Sequence, residues 1–189
     1  MMKRPTSIIV VGSSGNGKTT LVNGLRAYED TFIFPKRYIT RPQRKGDDLI
    51  ENEHVDPARF DELLDAGHLA VAWTRPLGKT RRERYGFETI QPEESRMVVY
   101  SANNALLRDE TAVVPANLFG DSFIVLVKAP DRVRQERVFG RSPDLRQEEM
   151  DIRLQDNGLD LVPRVDMVID THAFNPQRAV DLVRKAVSA

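Results

Sequence analysis

Ser7-Ile8-Ile9-Val10-Val11-Gly12-Ser13-Ser14-Gly15-Asn16-Gly17-Lys18-Thr19-Thr20 decides the fold. Residues 7 to 11 form a continuous apolar, β-branched run that ends in glycine, the pattern of a strand buried on both faces of a parallel sheet. Gly12 to Thr19 then fits G-x-x-x-x-G-K-[ST] without deviation. In such a loop the glycines let backbone N–H groups turn inward around phosphates, and the following helix N-terminus adds a favourable dipole. Lys18 reaches the β and γ phosphates, and Thr19 offers its hydroxyl to Mg²⁺. A helix pattern follows at Thr19 to Ala27, starting near Lys18, so the motif sits in the strand-to-helix context that its chemistry requires. The expected nucleotide set is Gly12, Ser14, Gly15, Asn16, Gly17, Lys18, Thr19 and Thr20, with ATP as the nucleotide and Mg²⁺ held at Thr19.

Short apolar runs recur at Met97 to Tyr100, Phe123 to Val127 and Met167 to Ile169, separated by stretches that read as helices. This alternation predicts an α/β fold with a central parallel sheet flanked by helices. Asp56-Pro57 and Asn175-Pro176 each set a capping side chain before a proline at the first helical position. They predict helices over Pro57 to Ala66, stopping at Gly67, and over Pro176 to Val187. Residues 37 to 87 break the alternation, rich in charge and turn residues with only short strand candidates such as Leu69 to Trp73. They read as an insertion over one edge of the sheet. A second irregular, arginine-rich piece, Arg134 to Arg153, reads as a lid, with a break in the helix expected at Gly140.

At 189 residues the chain suits one compact domain that needs no staple, and with no cysteine it has no disulfide, thiolate metal site or cysteine nucleophile. Three scattered histidines do not build a metal cluster. Lys plus Arg equals Asp plus Glu at 28 each, which removes the global electrostatic argument for nucleic acid or an anionic membrane as partner. The short apolar run at Ile8 to Val11 is no signal or membrane span, so the reading is a cytoplasmic protein, monomer or homodimer.

A phosphate loop alone leaves GTPases, motor ATPases and kinases open. The chain carries no D-x-x-G or N-K-x-D guanine pattern and no apolar strand ending in Asp-Glu. It does carry two arginine-bearing segments of the kind that hold an acceptor phosphate and neutralise a transferring phosphoryl group. With Tyr38-Ile39-Thr40-Arg41-Pro42, Glu51 to His54 ahead of a helix with Phe60, Trp73, Tyr85-Gly86, and Gly140-Arg141 to Arg153-Leu154, the sequence resembles the guanylate kinase superfamily. Within it, the chain is most similar to the ribose 1,5-bisphosphate phosphokinases.

The resemblance implies a P-loop kinase fold with an acceptor-binding insertion at about 37–87 and a lid at about 137–153. It implies that Arg41, Arg44 and Tyr85 hold an acceptor phosphate and that Arg137 lies near the adenine and ribose. Arg141 from the lid and Arg153 from the next helix would close on the transferring group beside Lys18. The residues that read guanine in that family have no match here: their positions hold Arg37, Ala72 and Phe87, and the central strand leads into Tyr100-Ser101-Ala102-Asn103 without an aspartate. A site lacking those partners discriminates poorly for the base. The expected acceptor is therefore a phosphorylated small molecule, with ribose 1,5-bisphosphate the specific choice. A nucleoside monophosphate kinase with altered base preference and a kinase-like binding module are the alternatives.

Plainer readings stand beside these. Arg137 and Arg141 are four apart, as are Glu149 and Arg153, and could be neighbours on solvated helix faces. Trp73 reads as a core residue with a polar handle, and His54 beside a strand as structural, with Glu51 and Asn52 undecided.

Overall fold

The computed structural model describes residues 5–43, 47, 49–77, 81–91, 93, 95–141, 151, 154 and 164–188. Two sheets organise them. The first has five strands, β1 (Ser7–Val11), β2 (Phe32–Ile33), β7 (Met97–Ser101), β8 (Ser122–Lys128) and β9 (Met167–Asp170), in the order β2-β7-β1-β8-β9. All four of its strand pairs are parallel. β2 is an addition to the four strands predicted: at two residues, it is too short to leave a periodic signal.

Every residue of β1 is buried, and alternate side chains feed two different cores. Ile8 and Val10 pack with Leu21, Val22 and Leu25 of α1 (Lys18–Leu25) and with Val180, Val183 and Val187 of α4 (Pro176–Val187). Ile9 and Val11 point to the opposite side, where Trp73, Tyr85, Phe87 and Tyr100 gather. α1 and α4 meet closely at Gly24, where a Cβ would come within 2.5 Å of Val180 Cγ2. After Leu25 the chain tightens into a 3₁₀ turn, Arg26–Tyr28, one residue past the predicted helix end.

The insertion forms a sheet of its own, in the order β4-β3-β6-β5. Its strands are β3 (Arg37–Ile39), β4 (Asn52–His54), β5 (Leu69–Leu77) and β6 (Arg81–Glu88). β5 and β6 pair antiparallel from Leu69 opposite Glu88 to Leu77 opposite Arg81. The sequence reading ends this strand at Trp73. Cross-strand pairing carries β5 four residues further, since an edge strand tolerates Pro76 and Arg75 stands opposite Glu83 across the ladder.

α2 (Pro57–Asp65) starts where predicted: the Asp56 side chain accepts from Arg59 N at 2.8 Å, and Gly67 turns the chain with φ 71°. Its Phe60 reaches the outer face of β6 at Gly86, where a Cβ would lie 2.7 Å from Leu69 Cδ1 and 3.2 Å from Phe60 Cζ. The Tyr85-Gly86 pair thus has a physical division of labour. Tyr85 faces inward to the second core, and Gly86 leaves room for α2 on the outside.

α3 (Asp131–Arg141) includes Gly140, and residues 142–150 after it lie outside the described ones. A single glycine costs a helix only about 1 kcal/mol. No helix among the described residues is long and apolar enough to cross a membrane.

Candidate active site

The phosphate loop lies at the C-terminal end of β1, where ligands bind in open parallel sheets. Gly12, Gly15 and Gly17 have φ of 152°, 81° and 92°, in the region that favours glycine. Space demands glycine as well: a Cβ would lie 2.4 Å from Val127 O at Gly12 and 2.8 Å from Arg134 O at Gly15.

Five consecutive loop carbonyls are engaged by side chains. Lys18 Nζ donates to Gly12 O at 2.5 Å and to Ser13 O at 3.0 Å. Arg134 Nε donates to Ser14 O at 3.4 Å, Arg137 Nη1 to Gly15 O at 3.1 Å, and Thr171 Oγ1 to Asn16 O at 2.8 Å. Inside the loop the Asn16 N–H donates to Ser13 O at 3.3 Å, and a backbone fixed in this way is the arrangement a phosphate cradle needs. Asn16 fixes the loop to β8 by accepting from Ala129 N at 3.2 Å. Thr19 and Thr20, in the first turn of α1, are exposed.

Arg134 and Thr171 were missed by sequence reasoning. Arg134 is almost fully buried, and it also donates to Asp131 Oδ1 at 2.8 Å. Thr171 directly follows β9, and the strand-end rule would have placed it beside the loop. It accepts from Arg137 Nη1 at 2.9 Å. Arg137, Thr171, Gly17, Thr20, Phe174 and Pro176 line a pocket next to the loop.

The inward face of the insertion sheet packs against β1 and β7 in the second core. Trp73 stacks on Tyr85, with ring centroids 5.3 Å apart and planes 14° from parallel, and Phe87 follows at 5.6 Å from Trp73. Trp73 Nε1 donates to Asn103 Oδ1 at 3.1 Å, just past the end of β7, and the next residue, Asn104, donates to Ser13 Oγ of the phosphate loop at 3.2 Å. A short run of bonds therefore joins the insertion sheet to the loop across the end of β7. Arg37 adds a second tie, donating to Asn52 Oδ1 at 2.9 Å and to Ser101 O at 2.7 Å.

Arg41 is gripped in a fork by Asp47, at 2.6 and 2.7 Å. Burial works against its charge, yet the Asp47 carboxylate, with Tyr85 and Glu83 nearby, holds the guanidinium above its ordinary pKa. His54 bonds Arg41 O through Nδ1 at 2.9 Å, and its Nε2 lies 3.2 Å from Asp47 without hydrogen-bond alignment. The Tyr85 hydroxyl donates to Glu83. Burial first, and then the neighbouring Glu83, raise the pKa of Tyr85. The resemblance assigns this hydroxyl to an acceptor phosphate; here it meets Glu83, which alternates inward with Tyr85 and Phe87 and which sequence reasoning passed over.

Arg44 and Arg153 lie outside the described residues, as does the Arg141 side chain and most of the lid at 137–153.

No protein-family model matches the chain. Ribose 1,5-bisphosphate phosphokinase of Rhodopseudomonas palustris is 30% identical over 145 residues, 71% of this chain and 66% of that protein. The bifunctional ribose 1,5-bisphosphokinase-thymidine phosphorylase of Cupriavidus necator is 31% identical over 140 residues, 72% of this chain and 21% of that one. The match thus spans less than two thirds of these relatives. Guanylate kinase of Chromobacterium violaceum is 38% identical over 73 residues, 37% of this chain and 33% of that protein. A guanylate kinase structure from Anaplasma phagocytophilum superposes with a TM-score of 0.66 at 15% identity, covering 100% of this chain and 87% of that one, and shows a shared fold. With a phosphate loop of this geometry and an insertion sheet facing it, the chain belongs to the guanylate kinase-like superfamily of P-loop kinases.

Proposed function

We propose that this protein transfers the γ-phosphoryl group of ATP to a phosphorylated small molecule, with ribose 1,5-bisphosphate as acceptor and 5-phosphoribosyl diphosphate as product. One observation carries the reading: the bonds from Trp73 through Asn103 and Asn104 to Ser13 tie the insertion face to the phosphate loop at one end of the parallel sheet. The ribose 1,5-bisphosphate kinase activity of the relatives supports it.

In this reading the loop N–H groups and Lys18 hold the triphosphate. Thr19 would hold Mg²⁺ through its hydroxyl, and the ion would supply charge neutralisation at the phosphates. The pocket of Arg137 and Phe174 takes the nucleoside. The proposed roles are acceptor-phosphate binding for Arg41 and Arg44 and charge neutralisation of the group in transit for Arg141 and Arg153. An oxygen of the acceptor's 1-phosphate forms the new bond to the γ phosphorus while the bond to the bridging oxygen breaks and leaves with ADP. Little covalent work falls to the protein, whose contribution is positioning and charge.

The positions where guanylate kinases read the base support a sugar acceptor over GMP. Arg37 and Phe87 are cross-strand partners here, and Phe87 is packed between Trp73 and Tyr100. Coupled ADP release with Mg-ATP tests the proposal against ribose 1,5-bisphosphate, other sugar phosphates, GMP, other nucleoside monophosphates and a blank. Turnover is expected with the ribose bisphosphate. Turnover confined to GMP would overturn the acceptor assignment, and no turnover with any acceptor would overturn the kinase reading.

A further inference from the structure

The arginines of the insertion differ in what balances their charge. Arg41 lies in the fork of Asp47, Arg84 pairs with Asp61 at 2.7 Å, and Arg59 pairs with Glu62 at 2.9 Å. Arg37 is held by neutral groups instead. Its Nε donates to the Asn52 amide oxygen at 2.9 Å and its Nη1 to the Ser101 carbonyl at 2.7 Å, and no carboxylate pairs with it among the described residues. A guanidinium has five N–H donors, so these two bonds fix its plane and leave donors over. Its charge is balanced by neither partner.

Such a group is preorganised for an anion, because the forked donors are already oriented and no carboxylate has to be displaced. Arg37 is half-buried, with its guanidinium carbon 6.0 Å from the centroid of the Phe87 ring. Apolar surroundings strengthen a charge pair relative to water, and the exposed part of the side chain gives a ligand its approach.

The placement of Arg37 says which anion it suits. β3 sets Arg37 opposite Phe87 and Ile39 opposite Tyr85, and Ile39, Tyr85 and Phe87 all belong to the second core, so Arg37 shares the inward face. Ser101, to which it is tied, ends β7 beside Val10 of β1, at the end of the sheet where the phosphate loop begins. Arg41 follows four residues later, close enough to feel the charges of Tyr85 and Glu83. At strand rise the two arginines are separated by at most about 13 Å between Cα atoms, a gap that two side chains of this length close onto one small molecule.

We propose that Arg37 binds the second phosphate of the acceptor: Arg41 takes the phosphate that receives the γ-phosphoryl group, Arg37 takes the one at the far end of the sugar, and the pair selects bisphosphates over monophosphates. The inference rests on the acceptor reading above and deepens it.

Two ligands separate the contributions: ribose 1,5-bisphosphate, and ribose 1-phosphate, which keeps the reacting phosphate and lacks the other. Binding is read by calorimetry and by the fluorescence of Trp73, the one tryptophan of the chain. The native protein should bind the bisphosphate roughly 10- to 100-fold more tightly, the worth of hydrogen bonds to a charged group. Arg37→Gln removes the charge and should bring the ratio toward one by weakening the bisphosphate alone. Arg37→Lys keeps the charge without the fork and should restore part of the preference. The KM for the bisphosphate should rise in step with its Kd. A merely structural role for the ties to Asn52 and Ser101 would weaken both ligands together, and thermal melts of each variant register that loss.

A native ratio near one, a ratio unchanged in Arg37→Gln, or an equal loss for both ligands would overturn the inference while leaving the kinase reading in place. If the native protein binds neither ligand, the acceptor reading falls and takes this inference with it.

Discussion

The phosphate loop and the insertion sheet are built by opposite means. In the loop, side chains from α1, α3 and the residue after β9 hold the backbone carbonyls. The insertion sheet works through side-chain pairs, Arg41 with Asp47 and Tyr85 with Glu83. A backbone site needs glycine at fixed spacing and recognises any polyphosphate. A side-chain site can be rewritten by a few substitutions, which is how relatives with one fold come to act on different acceptors.

The comparison breaks most visibly at Lys18. Lys18→Ala should lower kcat by roughly 10²–10³-fold, as removal of a preorganised charge stabiliser does, while acceptor binding read at Trp73 stays unchanged. Steady-state kinetics and a fluorescence titration on the same variant check both halves.

In the insertion, Arg41→Ala should raise the acceptor KM and also destabilise the fold by about 2 kcal/mol, because it strands the Asp47 carboxylate. Urea unfolding of Arg41→Ala, Asp47→Ala and the double variant should show the double losing less than the sum of the singles. Strict additivity would mean that the pair is not coupled.

Gly86→Ala sharpens the comparison from the outer face of the insertion sheet. Its methyl would meet Leu69 and Phe60, so a loss of about 1–3 kcal/mol is expected, with α2 displaced from the sheet. Gly24→Ala should cost about 1 kcal/mol net, because the clash with Val180 is partly offset by the gain in helix propensity.

The smallest effect concerns alkaline pH. Burial and Glu83 raise the Tyr85 pKa above its ordinary 10.0, so the fold favours the neutral phenol. That contribution is fully present below about 10 and is lost as pH rises through the raised folded value. Melting temperature against pH should therefore fall less steeply above about pH 10 in Tyr85→Phe than in the native protein.

How much of this the sequence discloses follows the same division. The loop, the strands beside it and both Asp/Asn-Pro helix starts are legible because each is local: a few consecutive residues meet the whole geometric requirement. β2 is illegible because two residues carry no period, and the far half of β5 because its stability comes from β6, across the ladder. Arg41 and Tyr85 could be singled out through family likeness, but not their partners. Asp47 and Glu83 carry no motif, and the inward orientation of Glu83 follows only from the pairing of β5 with β6.

The most direct test of the account follows the phosphorus itself. Ribose 1,5-bisphosphate is mixed with Mg-ATP and the protein, and the reaction is read by ³¹P NMR. The account predicts that the acceptor's 1-phosphate resonance gives way to the coupled pair of a diphosphate ester as ADP appears in equal amount, and that Lys18→Ala abolishes the change. ADP formed with inorganic phosphate and an unaltered 1-phosphate resonance would contradict it.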